Sequence, residues 1–185
     1  MLTLLILALL GTFSSDAADI NLEKGDLSMV WNDTGCENTN IALQGRATQS
    51  SVYTDKHDGS YALAMNAIDG NTDTDLFHGS CMHTNCENDP WWRVDLLRGY
   101  KISKVVITNR GAHGSRLNGS EIRIGNSLGN NGNNNPRCAV ISSLPDGFTQ
   151  SYMCRNMVGR YVNIHIPGRK ECLHVCEVQV FGVPA

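Results

Sequence analysis

From residue 40 onward the chain is written in short runs that alternate apolar and polar residues, and that period of two decides what it can fold into. "WWRVDL" puts Trp92, Val94 and Leu96 on one face, and "EIRIG" turns Ile122 and Ile124 inward and Glu121 and Arg123 outward. "YVNIHIPG" aligns Val162, Ile164 and Ile166, and "CEVQVFGV" aligns Cys176, Val178 and Val180. Successive side chains of a strand point to opposite faces, so each run has one face to bury and one to expose. Gly, Asn and Pro bound the runs, as turns require. Frequent turns and hardly any helical periodicity predict an all-β protein, an antiparallel β-sandwich or barrel. The one helical candidate is "SYALAMNAID", residues 60–69, about two turns long. "GNNGNNNPR", 129–137, reads as a loop, and no internal repeat is present.

The first stretch, "MLTLLILALLGTFSSDAA", is apolar and then turns small and polar. This is the outline of a secretory signal and is too short to span a bilayer. Ser15 and Ala17 form its −3/−1 pair, which places cleavage near Ala17 and predicts a signal peptide over 1–17. Residues 18–39 read as a polar N-terminal extension, and 40–185 as one domain with room for a real core. No later stretch is long enough to cross a membrane, so membrane insertion is not expected. Removing the signal takes away Asp16 and moves the formal charge from −3 to −2, which does not suit a nucleic-acid partner. Asn32 in "NDT" and Asn118 in "NGS" are glycosylation acceptors by rule.

All seven cysteines lie beyond the signal, which fits an oxidising compartment. Cys138 and Cys154 bracket a strand–turn segment. Cys81 and Cys86 are five apart, and Cys172 and Cys176 four apart. If those two segments run antiparallel, Cys81–Cys176 and Cys86–Cys172 can both form, although spacing alone does not choose among the pairings. Cys-x4-Cys and Cys-x3-Cys are poor zinc spacings. Cys36 is left over, either as a cross-link between protomers or as a free thiol.

Two further clusters carry chemistry. "DGNTDTD", 69–75, offers oxygens at alternate positions, but Thr74 stands where an EF-hand loop needs Gly and Ser80 where it needs Glu, so an EF-hand fails. A different calcium site could still use Asp69, Asn71 and backbone carbonyls; an Asx-rich turn capping the short helix is the plainer reading. The loop "NRGAHGSR", 109–116, has two arginines, a histidine and no acid. Arg110, His113 and Arg116, with His83, present fixed hydrogen-bond donors suited to the hydroxyls of a neutral sugar, the arginines donating from one side and His83 from the other. The plainer reading is a set of solvated surface charges.

The segments "NIALQGRATQSS", "NAIDGN", "FHGSCMHTN", "NDPWWRVDLL", "VVITNRG", "EIRIGNSLGNNGNNNPRCAVISS", "GRYVNI" and "CEVQVFG" occur in order and together resemble the F-type lectins, or fucolectins, over about residues 40–183. The resemblance implies a β-sandwich jelly roll of the discoidin, galactose-binding-domain-like kind. The family motif is His, twenty-six residues, Arg, any residue, Asp, four residues, then Arg or Lys. His83 and Arg110 keep the first spacing, and Arg116 matches the second basic residue. The resemblance implies that these three bind the 4-hydroxyl and ring oxygen of L-fucose, with Leu76 and Phe77 near its methyl group. Ala112 stands in place of the motif Asp, the loop is one residue short, and an adjacent cysteine pair found in some members is missing around His113 and Gly114. These departures weaken the expected support for Arg116. The resemblance also implies a structural calcium held by Asn66, Asp69, Asn71, Ser80, Cys176 and Glu177, and the disulfides Cys81–Cys176 and Cys138–Cys154. Cys86–Cys172 rests on the antiparallel argument alone.

Together these readings predict a secreted, calcium-stabilised lectin for terminal L-fucose on glycans, acting in innate recognition and assembled as a homo-oligomer, a trimer by family analogy. A glycosidase would need two facing carboxylates, and the basic loop supplies none. The competing expectation is a discoidin-like binding module that has lost or changed its sugar specificity.

Overall fold

The computed structural model describes residues 38–56 and 59–185; the signal segment, Asn32, Cys36 and nearly all of the 18–39 extension lie outside them. Among the described residues ten strands are formed: β1 (Arg46–Gln49), β2 (Met82–His83), β3 (Glu87–Asn88), β4 (Trp91–Thr108), β5 (Ser120–Gly125), β6 (Arg137–Ile141), β7 (Thr149–His165), β8 (Lys170–Glu171), β9 (His174–Val175) and β10 (Glu177–Pro184). The main sheet is antiparallel, in the order β1-β4-β7-β5-β6, with β10 also alongside β4.

The two long strands make the sandwich. The start of β4 pairs with β1 from Trp92 to Asp95, and its second half pairs with β10 from Tyr100 to Thr108. β7 follows β4 through both halves and also pairs with β5 over Tyr161–His165. The register between β4 and β7 shifts twice, between Asp95 and Tyr100 and between Ile102 and Lys104. Leu97, Arg155 and Asn156 sit at these breaks with φ of 69°, 51° and 58°. Such bulges bend a strand and raise its twist, so the same two strands serve both layers.

The core lies between the layers, and the alternation seen in the sequence fills it. Trp92, Val94, Ile122, Ile124, Val162, Ile164, Ile166, Cys176, Val178 and Val180 are all fully buried. The Trp92 indole donates to the Ala64 carbonyl at 2.9 Å, so the largest core side chain also satisfies its one polar atom. One outward assignment differs. Glu121 is only 7 % exposed, because Arg123 and Arg137 reach over it and each contacts its carboxylate at 2.6 Å. Burial alone would raise its pKa, but the two guanidiniums hold it below the usual carboxylate range.

The helical segment is also shorter than its composition suggests. Only Ala64–Ala67 turns, as a single 3-10 turn. Tyr61 bridges Thr54, Ala62 donates to the Tyr53 carbonyl at 3.1 Å, and His83 donates to the Ala62 carbonyl at 3.3 Å. Those pairings hold residues 61–62 extended and leave little chain to coil. The Asn-rich loop is ordered by its own side chains. Asn135 accepts from the Ser127 amide and donates to its carbonyl, and Asn130 and Asn131 take positive φ, which Asn tolerates.

All three expected disulfides form: Cys81–Cys176, Cys86–Cys172 and Cys138–Cys154. The antiparallel premise holds as well. Met82 pairs with Val175, His83 with His174, Glu87 with Glu171 and Asn88 with Lys170. Among the described residues no helix is long and apolar enough to cross a membrane.

One of the tight approaches between strands is at Gly159. A Cβ there would lie 2.6 Å from the Gly125 nitrogen and 2.7 Å from Ile124 Cγ2. Gly159→Ala is expected to force β5 from β7 and to lower stability by about 1–3 kcal/mol, the usual cost of overpacking, read from the urea midpoint.

Candidate functional site

His83, Arg110 and Arg116 come from three separate elements and meet at one cleft of about 270 Å³, walled by Tyr53, Leu76, Phe77 and the Cys86–Cys172 disulfide, with His113 at its edge.

His83 is the most tightly built of the three. Its backbone carbonyl accepts from Tyr53 N at 2.9 Å and from Gln49 Nε2 at 3.0 Å. Its ring is 5 % exposed and lies between the Tyr53 ring, 4.8 Å away, and the His174 ring, 5.3 Å away. Nδ1 lies 2.5 Å from the Thr84 carbonyl. A carbonyl only accepts, so Nδ1 carries the proton, and Nε2 of the neutral ring is an acceptor. Burial pushes the His83 pKa down to about 4, aided by the charges of Arg110, Arg116 and His113 and opposed by the Thr84 bond. His83 therefore accepts a hydrogen bond rather than donating one, as the sequence reading had assumed. His174 behind it is fully buried with no hydrogen-bond partner on either ring nitrogen. Burial, then the neighbouring His83 and Arg110, keep it neutral.

Arg110 follows the end of β4 on a loop wired by its neighbour. Asn109 is fully buried. Its Nδ2 donates to the carbonyls of Leu144 at 2.7 Å and Gly114 at 3.2 Å, and its Oδ1 accepts from Arg110 N at 2.9 Å. Gly111 N donates to the Thr74 carbonyl at 2.8 Å. The Arg110 guanidinium sits 5.8 Å from the Phe77 ring centroid, a cation–π contact. Burial first, and Arg116 second, lower its pKa.

Arg116 sits on a 3-10 turn, Gly114–Leu117, whose Leu117 is fully buried. Gly114 N donates to Asp146 Oδ1, and a Cβ at Gly114 would meet Asn109 and Asp146 at 2.5 Å, so only glycine fits. Arg169 donates to the carbonyls of Arg116 at 2.9 Å and Asn118 at 2.6 Å. Glu171 Oε1 lies 3.6 Å from Arg116 Nε.

This cleft contains basic donors, one neutral acceptor and an apolar wall. The sequence reading missed Tyr53, His174, Asp146, Arg169 and Glu171. Each acts across the fold, and the one local signal was Glu171, which sits beside a cysteine expected to pair near His83.

The six residues expected to hold calcium lie in one neighbourhood. Glu177 is fully buried; its Oε2 accepts from Gly70 N at 3.3 Å, and its Oε1 has no hydrogen-bond partner. Burial pushes its pKa up to about 8, with Asp69 adding to the rise. Asn66 donates to the Cys81 carbonyl at 3.3 Å, and Cys81 is bonded to Cys176. Ser80 Oγ donates to the Asp75 carbonyl at 2.7 Å. Asp69, Asn71, Asp73 and Asp75 each accept from the amide two residues on, a run of four Asx turns that ends at Phe77. Among the described residues no three His, Cys, Asp or Glu side chains form a metal cage. A buried carboxylate oxygen without a donor, among amide and carbonyl oxygens, fits a hard cation and not zinc.

Residues 66–164 match the family described as NedA-like, galactose-binding domain. Fucolectin-4 of Anguilla japonica is 54% identical over 143 residues, covering 76% of this chain and 78% of that protein. The crystal structure of an F-lectin from the serum of striped bass, Morone saxatilis, matches with a TM-score of 0.75 and 51% identity over 79% of this chain, and this chain spans about half of that one, 48%. A fucose-binding module of Streptococcus pneumoniae matches with a TM-score of 0.64 and 30% identity, over 78% of this chain and 96% of that one. Sequence identity over most of both chains, the shared fold and the assembled basic cleft lead to one conclusion: the chain belongs to the fucolectins, the F-type lectin family, whose members bind carbohydrate and are not enzymes.

Proposed function

We propose that this protein is a secreted, calcium-stabilised lectin whose cleft binds terminal L-fucose. The observation that carries the reading is the neutral His83 acceptor set beside two guanidinium donors. An ionised carboxylate could accept from Arg110 and Arg116 but has no proton to give His83 Nε2. A hydroxyl does both, accepting from an arginine while donating to the imidazole. Both requirements suit a neutral polyol. Leu76, Phe77, Tyr53 and the Cys86–Cys172 sulfurs form an apolar wall that suits the methyl group of a 6-deoxy sugar. Names of relatives and neighbours support the same sugar: fucolectins, and a fucose-binding module.

Calcium would be held by Asp69 and Glu177 with oxygens of Asn66, Asn71, Ser80 and Cys176, and would supply the positive charge that lets Glu177 ionise in the interior. The signal segment and three disulfides support an extracellular site of action. A single sugar site binds weakly, so recognition of glycan-coated surfaces in innate defence calls for several sites per assembly, a homo-oligomer and by family analogy a trimer.

Three outcomes follow. His83→Ala and Arg110→Ala should each weaken fucose binding about ten- to a hundredfold by calorimetry, the cost of losing a hydrogen bond to a charged group or the partner it needs. Equal, tight binding by wild type and Arg110→Ala would move the sugar site elsewhere.

Affinity should be flat from pH 8 to about 5.5 and fall as pH drops through about 4, because protonation removes the Nε2 lone pair. A break near 6.5, with folding intact by circular dichroism, would contradict a buried neutral acceptor.

Excess chelator should lower the melting midpoint by about 5–10 °C, by mass action of a ligand bound only to the folded state. Glu177→Gln should abolish that sensitivity. A wild-type midpoint that ignores chelator rules out the calcium.

A further inference from the structure

Resting on the sugar-binding reading above, we infer that Glu171 is the positioning residue for Arg116: it supplies, from a distant strand, the carboxylate that the loop 109–116 does not contain, and so holds the second guanidinium at the cleft. Two guanidiniums share this cleft, and a neutral sugar brings no charge to separate them. Each therefore needs an anion of its own. Asp75 and Asp146 act on Arg110. On the Arg116 side the acid at ion-pair distance is Glu171, with Oε1 3.6 Å from Nε. Both side chains are sheltered, 28% and 26% exposed, so water screens the pair only in part.

The carboxylate is itself fixed. Glu171 Oε1 accepts from Cys172 N at 2.9 Å, and Cys172 is tied to Cys86 in the cleft wall. Arg169, two residues earlier, clamps the backbone carbonyls of Arg116 and Asn118. The short segment 169–172 thus grips the arginine turn at its backbone, grips the arginine itself at its side chain, and forms part of the wall the sugar would touch. An Arg116 released from Glu171 would swing toward solvent and away from Arg110.

The test uses the full chain and four proteins: wild type, Glu171→Gln, Arg116→Ala and the double variant. Glutamine keeps an oxygen for the Cys172 amide and removes only the charge. Fucose titrated by calorimetry should bind Glu171→Gln about two- to fivefold more weakly than wild type, the range of a partly exposed ion pair. In the Arg116→Ala background the same change should have no effect. Glu171→Gln with Ala112→Asp, which puts an acid inside the loop, should recover affinity. Unchanged binding by Glu171→Gln, or an equal loss with and without Arg116, overturns the assignment. Should wild type bind no fucose, the sugar reading fails, and the Arg116 Nε–Hε resonance decides the positioning role separately. A signal that shifts or broadens in Glu171→Gln upholds it, and an unchanged signal overturns it.

Discussion

The structure depends on one clamp. Residues 81–88 and 170–177 run antiparallel, and Cys81–Cys176 and Cys86–Cys172 lock them at two points. Between the two bridges His83 is paired with His174, so the imidazole at the floor of the cleft is held by covalent ties on either side. The two bridges also face different chemistry. Cys81–Cys176 adjoins Glu177 and the oxygen-rich turns, while Cys86–Cys172 forms part of the sugar-side wall. A lectin of this size needs a rigid place for a ligand on loops that carry little core of their own, and cross-linking supplies it where burial cannot.

Electrostatics gives the cleft its selectivity. Arginine pairs are common wherever anions are bound; here Glu171 lies at ion-pair distance from Arg116, and Asp75 and Asp146 bear on Arg110 from further away. On the proposed reading, guanidiniums that only donate and an imidazole that only accepts would favour alcohols over acids, by geometry rather than by net charge.

Much of this was legible in the sequence, and what was not has a physical cause. The alternation at 92–96, 122–124, 162–166 and 176–180 is a local property of each strand, and it placed every one of those side chains in the core. His83 and Arg110, singled out by their spacing in a motif, line one cleft. Glu121 was misjudged because its cover comes from Arg137 on a neighbouring strand. The segment 60–69 was misjudged because Tyr53 and His83 hold its first residues extended, a constraint from remote strands that outweighs alanine's preference for helix. Tyr53 and His174 had no local signature at all, since each matters only for what the fold brings beside it, and Glu171 had only its place next to Cys172. The donor role assumed for His83 failed on a single backbone carbonyl, that of Thr84.

The clamp also has a consequence for how the molecule comes into being. Its bridges close loops of 95 and 86 residues, and the last long strand, β10, returns to β4 from the far end of the chain. Such a topology is dominated by non-local pairings and assembles slowly. The cleft draws on residues from Tyr53 to Cys172, so no ligand can steady the chain while it is still emerging from the ribosome. Recognition is the last property this protein acquires, when the C-terminal segment docks and the Cys86–Cys172 bridge closes.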